Sequence, residues 1–317
     1  MKTIKIRNFG EADRLVLEDS PVPRPGSGEI TIDVAFAGVG FVDTLVRSGV
    51  FDFAVPPLVP GIEVAGTVRE VGDGVTGLAQ GQRVAALLTD FTNGGMGGYA
   101  EVALAKAALA ITLDEADDLA SAAATIVNGA TAFMAMEGLA PGATVAISGA
   151  SGGLGQCLVA AAKASEAGAI IALSGSPARA ATLSRLGATE ILTPEHFLNE
   201  EGLIDAAFDT VGGTMRLHML RRLRMAGRLV LLGNASGQDV QLSGDDIWLR
   251  SLRIEGLATG GLSPSMPDRI NAAARRAIAD ARVRPPAFAV LDLEQAVDAH
   301  RMIENREGPG KLVLKVA

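Results

Sequence analysis

The chain has 317 residues, a length at which a single hydrophobic core usually gives way to two domains. Apolar residues make up 48% of it, and 28 basic against 36 acidic residues give a net charge of −8, which disfavours a nucleic-acid partner. No apolar run approaches the ~18 consecutive residues that span a membrane. The single cysteine, Cys157, excludes an intramolecular disulfide and favours a reducing, cytoplasmic compartment.

The first 118 residues have the pattern of β-strands joined by loops rich in glycine and proline. Residues 1–10 already alternate between apolar and polar, so we expect a strand there and no signal peptide. The segments that predict strands are TIKIRNF, EITIDVAFAGV, EVAGTVREV, QRVAALL and YAEVALA.

From about residue 119 the pattern changes to alternating helix and strand. Helices are predicted at 118–137, 153–168, 177–187 and 215–227, and strands at 143–148, 169–175, 190–193, 204–212 and 228–233. Continuous apolar strands separated by helices predict a parallel sheet covered on both faces. The last part of the chain adds a strand-like SLRIEGLA at 251–258, helices at 266–283 and 293–306, and a strand at 311–317.

The segment AISGASGGLGQ, residues 146–156, places Gly149, Gly152, Gly153 and Gly155 where a predicted strand ends and a predicted helix begins. Dinucleotide-binding folds place a pyrophosphate at such a turn, because backbone amides face the ligand and the helix dipole favours negative charge. A plain tight turn is the alternative. A short-chain reductase is excluded, since the only tyrosine, Tyr99, is followed four positions later by Ala103 rather than lysine.

The end of the second predicted strand indicates which dinucleotide is bound. Ser174 lies about 20 residues beyond Gly155, where this fold expects the residue that contacts the ribose. The segment offers Ser174, Ser176 and Arg179 instead of a carboxylate, and two hydroxyls with a guanidinium suit a 2′-phosphate. The sequence therefore predicts NADP(H), with a solvated helix residue as the alternative for Arg179.

Beside SGASGGLG, the chain carries in order the segments AGVGFVDTLVRSGVF (37–51), VPGIEVAGTVREVGDGVTGLAQGQRV (59–84), NGATA (128–132), AFDTVGG (207–213), GRLVLLGNASG (227–237) and GPGKLVLKV (308–316). This ordered set resembles the medium-chain dehydrogenase/reductase family, in its zinc-free, zeta-crystallin-like quinone oxidoreductase group. The resemblance covers nearly the whole chain. It implies a GroES-like, mostly β catalytic domain formed by residues 1–118 and 259–317. It also implies a Rossmann cofactor domain with a doubly wound parallel sheet at 119–258, the α/β fold class.

The resemblance also implies which residues contact the cofactor. Asn128 and Thr131 are expected near the nicotinamide ribose or phosphate, although they are also spaced to cap one another on a helix. The pyrophosphate is expected over Ser151, Gly152, Gly153 and Leu154, the 2′-phosphate at Ser174, Ser176 and Arg179, and the border of the cofactor channel at Val211, Gly233 and Asn234. The structural alternatives are a helix cap for Asp209 and an ordinary turn for 233–234.

Metal ligands are missing from the positions where zinc-dependent relatives have them. Gly40 stands where those relatives have cysteine and Ile62 where they have histidine. Of the scattered histidines, His218 and His300 lie in helical patterns, and we expect both on the surface. Cys157 is expected to pack in the core. The sequence therefore predicts no metal.

The first active-site segment supplies Gly40, Phe41, Asp43 and Thr44 as candidates for the substrate wall or for positioning, with no secure acid or base among them. Relatives often have asparagine in place of Gly40 and tyrosines in place of Leu45 and Phe51. The Thr44 hydroxyl is a candidate proton donor, beside water or a cofactor hydroxyl. Asp43 is either part of the wall or an anchor behind it.

These features together predict a cytoplasmic, zinc-independent, NADPH-dependent oxidoreductase acting on a quinone or an α,β-unsaturated carbonyl. The altered segment favours bulky, apolar substrates. An NADPH-binding structural or regulatory protein with little turnover is the alternative. The expected partners are a small-molecule substrate and a second copy of the chain, paired through the apolar strand at 251–258, with no nucleic acid and no membrane.

Overall fold

The computed structural model describes residues 1–89, 95–199, 202–259, 266–280 and 288–316. The chain folds as two compact units, and both ends of the chain belong to the first. The first unit comprises Met1–Val127, Leu262–Ile278 and Ala287–Ala317, and the second comprises Asn128–Gly261 and Ala279–Pro286. The division after Val127 falls inside a helix, whereas the sequence suggested a boundary between residues 118 and 119.

The N-terminal part is mostly β, as its alternating apolar pattern predicts. Its elements are β1 (Lys2–Ile6), β2 (Leu15–Asp19), β3 (Glu29–Val39), α1 (Phe41–Ser48), β4 (Glu63–Val71), β5 (Arg83–Leu87), β6 (Val102–Lys106), β7 (Ala110–Thr112) and α2 (Leu119–Ala135), with short 3-10 turns at Ala12–Arg14 and Ala107–Leu109.

The middle of the chain alternates strand and helix. Its elements are β8 (Thr144–Ile147), α3 (Gly153–Ala164), β9 (Ala169–Leu173), a 3-10 turn at Pro177–Arg179, α4 (Ala180–Leu186), β10 (Glu190–Leu192), α5 (Pro194–Asn199), β11 (Ile204–Asp209), α6 (Gly213–Arg222), β12 (Leu223–Leu231), α7 (Gly244–Trp248) and β13 (Arg253–Gly256).

The C-terminal part returns to the first unit. It consists of α8 (Met266–Ala279), β14 (Phe288–Asp292), a 3-10 turn at Leu293–Gln295, α9 (Ala296–Glu304) and β15 (Lys311–Lys315). The last residues of the helix predicted at 266–283 lie outside the described residues.

The first unit is built around a sheet with the strand order β14-β15-β3-β4-β5-β7, in which β6 also pairs with β3. β15 runs antiparallel to β3, with Leu312 opposite Val39. The long strand β3 buries Ile30, Ile32 and Val34, which anchor the core. Apolar side chains at alternate positions thus bring the two ends of the chain into one sheet.

The second unit contains a parallel sheet of six strands in the order β10-β9-β8-β11-β12-β13. Its central strands are apolar throughout, because helices cover both faces of such a sheet. The strand order reverses between β8 and β11, and open α/β sheets bind ligands beside the carboxyl ends of the strands at this point. The doubly wound sheet that the sequence predicts is confirmed.

One predicted helix is wrong in its extent. The pattern at 215–227 predicts a continuous helix, but α6 ends at Arg222 and Leu223 begins β12. β12 pairs with strands on both sides, and Leu223 lies opposite Ile204. Strand pairing therefore overrides the helical pattern of the sequence. Within the described residues, no helix combines the length and apolar character needed to cross a bilayer.

Candidate functional site

The carboxyl ends of β8 and β11 are joined by a short hydrogen-bond network. The Ser148 hydroxyl donates to Oδ1 of Asp209 at 2.8 Å and accepts from the backbone amide of Thr210 at 2.9 Å. The Thr210 hydroxyl in turn donates to the Ser148 carbonyl at 2.9 Å. These bonds fix the two loops on either side of the point where the strand order reverses.

The glycine turn after β8 contains two glycines that packing requires. Gly149 has a φ of +59°, and a β-carbon there would lie 2.5 Å from the Thr210 hydroxyl oxygen. A β-carbon on Gly155 would overlap the Gly149 carbonyl oxygen. Gly152 differs, because it is exposed, has ordinary backbone angles and has room for a β-carbon. Packing therefore explains Gly149 and Gly155 but not Gly152.

The residues expected under a pyrophosphate lie at the N-terminus of α3. Gly152 is the N-cap, and Gly153 and Leu154 open the helix. Amides in the first turn of a helix have no partner within the helix and form the positive end of its dipole. The Ser151 carbonyl accepts from the Gln156 side chain at 2.9 Å. The turn thus presents amide donors suited to an anion.

The residues expected to hold a 2′-phosphate share one turn at the carboxyl end of β9. Ser174 is buried, and its hydroxyl accepts from the Ser176 amide at 3.2 Å. Ser176 caps the 3-10 turn that ends at Arg179, which is half-buried. The β9 strand is adjacent to β8. The turn that carries these three residues therefore begins beside the strand that leads into the glycine turn.

Asp209 organises the loop after β11. It is fully buried and accepts from the amides of Val211 and Gly212, each at 3.0 Å. It also pairs with Arg216 at 2.7 Å, and Arg216 donates to the Gly233 carbonyl at 2.8 Å. Asp209 therefore lies just before the N-terminus of α6, whose N-cap is Gly212. Its hydrogen bonds link Val211 directly and Gly233 through Arg216.

Three cofactor candidates of the second unit remain: Asn128 and Thr131 on α2, and Asn234 beside Gly212. Asn128 is half-buried and Thr131 is buried. The Asn234 side chain lies against Gly212, where a β-carbon would overlap its Oδ1 atom. Gly212 has a φ of +76°, which favours glycine at this position.

In the first unit, Asp43 joins the start of α1 to the loop before β4. Its carboxylate is fully buried; Oδ2 accepts from the Gly40 amide at 2.8 Å and Oδ1 from the Gly61 amide at 3.1 Å. Burial raises the pKa of Asp43 to about 7, although both amide bonds and the charge of Lys311 act to lower it. The buried Asp43 carboxylate thus holds the backbone at Gly40 and at Gly61 through one hydrogen bond each.

Two further buried groups follow Asp43 in a line. The Tyr99 hydroxyl lies 3.5 Å from Oδ2 of Asp43 and 3.1 Å from Nε2 of His300. The expectation that His300 lies on the surface is wrong, since His300 is completely buried on the inner face of α9 together with Ala296 and Ala299. Burial, and secondarily the charge of Arg47, lower the pKa of His300 to about 3, so its ring is neutral.

One fully buried ion pair and one buried arginine with an exposed partner were missed by sequence reasoning. Glu63 on β4 pairs with Lys311 on β15, and both side chains are buried. Arg47 on α1 is also buried and pairs with Glu304 at the end of α9. The signal in the sequence was a charged residue in an otherwise apolar strand, namely Glu63 in EVAG and Lys311 in KLVLK. A sequence alone does not reveal which partner neutralises such a charge.

The rest of the candidate substrate segment is apolar or engaged within the protein. Phe41 is exposed, whereas Thr44 is buried and its hydroxyl donates to the Phe41 carbonyl at 2.7 Å. Gly40 has room for a β-carbon, which would lie 3.4 Å from Cγ1 of Val42 and 3.5 Å from Oδ2 of Asp43. Within the part of the chain that the structure describes, no group of three or more His, Cys, Asp or Glu side chains is arranged to hold a metal ion.

Comparison with known proteins places this architecture in a family. Residues 26–115 match the family described as alcohol dehydrogenase GroES-like domain, and residues 153–276 match the family described as zinc-binding dehydrogenase. A probable quinone oxidoreductase of Schizosaccharomyces pombe is 30% identical, over 98% of this chain and 96% of that protein. The chain belongs to the medium-chain dehydrogenase/reductase family, in its quinone oxidoreductase group. The quinone oxidoreductase of Sus scrofa is 28% identical over 99% of this chain and 97% of its own length.

Solved structures of medium-chain dehydrogenase/reductases share the whole fold. Mycobacterial Rv1454c, solved in complex with NADPH, is 26% identical with a TM-score of 0.88, and the match covers 100% of both chains. A thermostable alcohol dehydrogenase of Pyrobaculum aerophilum, solved with bound cobalt and zinc, is 28% identical with a TM-score of 0.86 over 100% of this chain and 99% of that one. The predicted GroES-like and Rossmann architecture is thereby confirmed. The shared fold does not distinguish the chemistry of the metal-bound alcohol dehydrogenase from that of the NADPH-bound protein, so this distinction depends on the residues of this chain.

Proposed function

We propose that the protein is a zinc-independent, NADPH-dependent reductase that transfers a hydride to a quinone or an α,β-unsaturated carbonyl compound. The observation that carries the proposal is the environment of Asp43. Its carboxylate accepts from the amides of Gly40 and Gly61, and Gly40 and Ile62 supply no ligand atoms where zinc-dependent relatives have them. An alcohol substrate needs a Lewis acid to stabilise its alkoxide. An activated double bond or quinone mainly needs a correctly positioned donor.

The carboxyl edge of the parallel sheet fits NADPH. Gly152 is exposed, and no packing contact requires a glycine at this position. The lack of a side chain allows a pyrophosphate to approach the backbone closely. Ser174, Ser176 and Arg179 offer hydroxyls and a guanidinium without a carboxylate that would repel a 2′-phosphate. The NADPH bound to the mycobacterial relative supports this choice. NADPH supplies the hydride, and these residues bind and orient it.

The candidate substrate segment favours large apolar substrates. The rings of Phe51 and Phe53 stack with centroids 5.0 Å apart. Val50, next to Phe51 in sequence, and Phe41 at the start of α1 are both exposed. Apolar area removed from water contributes about 25 cal/mol per Å², so an additional ring or branched chain adds one or two kcal/mol of binding, roughly. Orientation would then depend on shape more than on polar contacts.

An NADPH-binding protein with little turnover is the second candidate, and one observation favours it. The Thr44 hydroxyl, which the sequence offered as a proton donor, is buried and donates to the Phe41 carbonyl. A reductase of this kind therefore takes its final proton from water or from a cofactor hydroxyl.

We also infer that the protein acts in the cytoplasm as a homodimer joined through β13.

The test is a panel of quinones and enones assayed with NADPH, and of primary alcohols assayed with NADP⁺, each followed by the absorbance of NADPH in protein treated with a chelator. We expect saturable turnover of bulky enones or large quinones, with a higher kcat/KM than benzoquinone, and none with alcohols. The double variant Gly40→Asn with Leu45→Tyr should shift the preference toward small polar quinones, because Gly40 has room for the β-carbon of a new side chain. Leu17→Tyr, at an exposed position on β2, is the control.

The other outcomes are equally informative. Tight NADPH binding without turnover across the panel would favour the binding protein. Activity lost to the chelator and restored by zinc would contradict zinc independence. An unchanged substrate ranking in the double variant would show that the segment does not set specificity.

A further inference from the structure

Three buried polar side chains from distant parts of the chain form a line that the proposed hydride transfer does not use. Asp43 on α1, Tyr99 before β6 and His300 on α9 are all fully buried. The Tyr99 hydroxyl is the central member, 3.5 Å from Oδ2 of Asp43 and 3.1 Å from Nε2 of His300. A hydroxyl has one proton and accepts through its lone pairs, so Tyr99 donates to one neighbour and accepts from the other.

The protonation states restrict how this line can be arranged. Burial and the neighbouring Asp43 charge raise the pKa of Tyr99 well above its usual value, so Tyr99 stays protonated. His300 is neutral and therefore has one N–H and one bare nitrogen. Among the described residues, Nδ1 of His300 has no hydrogen-bond partner, although it is buried. Because no described residue bonds to Nδ1, the only hydrogen bond that determines the tautomer of His300 is the one between Nε2 and the Tyr99 hydroxyl.

We propose that Asp43, Tyr99 and His300 form a reversible proton relay in which the tautomer of His300 follows the protonation of Asp43. Tyr99 and His300 are then positioning residues for the candidate substrate segment, because Asp43 holds the backbone amides of Gly40 and Gly61. Only this kinetic role rests on the proposed reductase function. The relay itself is a property of the folded chain.

The proton balance has two states. With Asp43 ionised, Tyr99 donates to the carboxylate and accepts from the N–H at Nε2 of His300. Net uptake of one proton by the buried line leaves an N–H at Nδ1, while Nε2 passes its proton to Tyr99 and Tyr99 passes its own to Asp43. Both hydrogen bonds of the line then run the other way, the His300 ring carries its proton on Nδ1, and the net charge has risen by one.

Several charges around the relay set where it titrates. Lys311 favours the ionised form of Asp43, and Glu63, which pairs with Lys311, disfavours it. Arg47 faces His300 and disfavours a second proton on the ring, and its own partner is Glu304. Because Arg47 keeps the ring neutral, the change available to His300 is one of tautomer rather than of charge.

The relay has a direct consequence for the substrate segment. A carboxylate accepts stronger hydrogen bonds from backbone amides than a neutral carboxyl does. Protonation of Asp43 should therefore loosen the bonds to Gly40 and Gly61 together. Among the described elements, these bonds join the start of α1 to the loop before β4.

The test is nitrogen NMR of protein labelled with ¹⁵N at histidine, followed through pH values on both sides of the Asp43 pKa of about 7. The chain has three histidines, and His300→Gln identifies the signal of His300 by its loss. We expect a neutral ring throughout, protonated at Nε2 above the midpoint and at Nδ1 below it. Tyr99→Phe should abolish this exchange while the ring remains neutral. Ser48→Ala, at an exposed position on α1, should leave it unchanged.

Two results would overturn the relay: a single His300 tautomer across the whole range, or an exchange that persists in Tyr99→Phe. The pH profile of kcat/KM gives a second measurement. Loss of the Tyr99 hydroxyl removes a donor to the Asp43 carboxylate, so the inflection should move to higher pH while the KM for NADPH stays the same. Because the tautomer is measured without substrate, a protein with no reductase activity can still confirm or refute the relay.

Discussion

A β-carbon on Gly155 would overlap the carbonyl oxygen of Gly149, so α3 can follow β8 this closely only if residue 155 is glycine. This contact sets where the N-terminus of α3 lies relative to the end of β8. Gly152, between them, has no such packing requirement. In this turn, Gly149 and Gly155 are required by packing, whereas Gly152 is not, and its lack of a side chain suits contact with a ligand.

The first prediction separates these two roles. Gly152→Ala should fold with normal stability but lose about tenfold or more in affinity for NADPH, because the new methyl group lies in the pyrophosphate cradle. Gly155→Ala should lose about 1–3 kcal/mol of stability through overpacking. Titration of NADPH and urea unfolding measure the two effects. Gly244→Ala, at an exposed position with open space around it, is the control. Unchanged affinity in Gly152→Ala would place the pyrophosphate elsewhere.

The second prediction concerns the choice between cofactors. Arg179→Ala should raise the KM for NADPH at least tenfold, about 1.4 kcal/mol, and leave that for NADH nearly unchanged, since only NADPH carries the 2′-phosphate. The matched control is Arg185→Ala, an exposed arginine on the following helix α4. Equal losses for both cofactors would refute the role of Arg179.

The sequence predicted the elements whose apolar residues repeat regularly. The bounds of β3 and β4 were predicted to the residue, because Glu29–Val39 and Glu63–Val71 lie between glycine- and proline-rich loops. The doubly wound sheet followed from apolar strands alternating with helices. The segment after Arg222 was mistaken for helix because its pairing with β11 and β13 depends on distant residues.

The polar interior of the first unit could not be predicted for a related reason. A helical pattern showed that His300 lies on a helix but not that its face meets the Tyr99 hydroxyl, 201 positions earlier in the chain. The same holds for Glu63 and Lys311, which are 248 positions apart. Asp43 was recognised as a candidate anchor, but the sequence did not reveal its bond to the Gly61 amide.

The third prediction uses pH. The pKa of His300 is lowered from 6.5 to about 3 in the folded protein, so its contribution to stability is complete above pH 6.5 and is lost as the pH falls toward 3. The pKa of Asp43 is raised from 3.8 to about 7, so its contribution is complete below pH 3.8 and is lost as the pH rises through 7. The two effects oppose each other in wild type.

Each effect is isolated by its own variant. Relative to wild type, His300→Gln should lessen the fall in the free energy of unfolding below pH 6.5, and Asp43→Asn should lessen its fall between pH 3.8 and 7. Each difference is at most about 1.4 kcal/mol per pH unit, the slope for one proton. Urea unfolding at a series of pH values measures it. A parallel pH dependence in wild type and variant would contradict the assignment for that residue.

The fourth prediction concerns assembly. β13 lies at one edge of the parallel sheet, after the exposed side chains of Trp248 and Leu249. We expect a homodimer paired through this edge, because an exposed edge strand is otherwise open to aggregation. Leu249→Glu should produce monomers in light scattering, whereas Val290→Glu on the edge strand β14 of the other sheet should not. Wild-type monomers at micromolar concentration would contradict this prediction.

The most direct test of the proposed function is a single turnover with NADPH carrying deuterium at the transferable position of the nicotinamide. The protein is first treated with a chelator, and a bulky enone is the substrate. Hydride transfer to the activated double bond predicts a product with one deuterium at the β-carbon, identified by mass spectrometry. Recovery of unreacted substrate with every enone and quinone of the panel, or reduction that occurs only after zinc is added, would contradict a zinc-independent reductase.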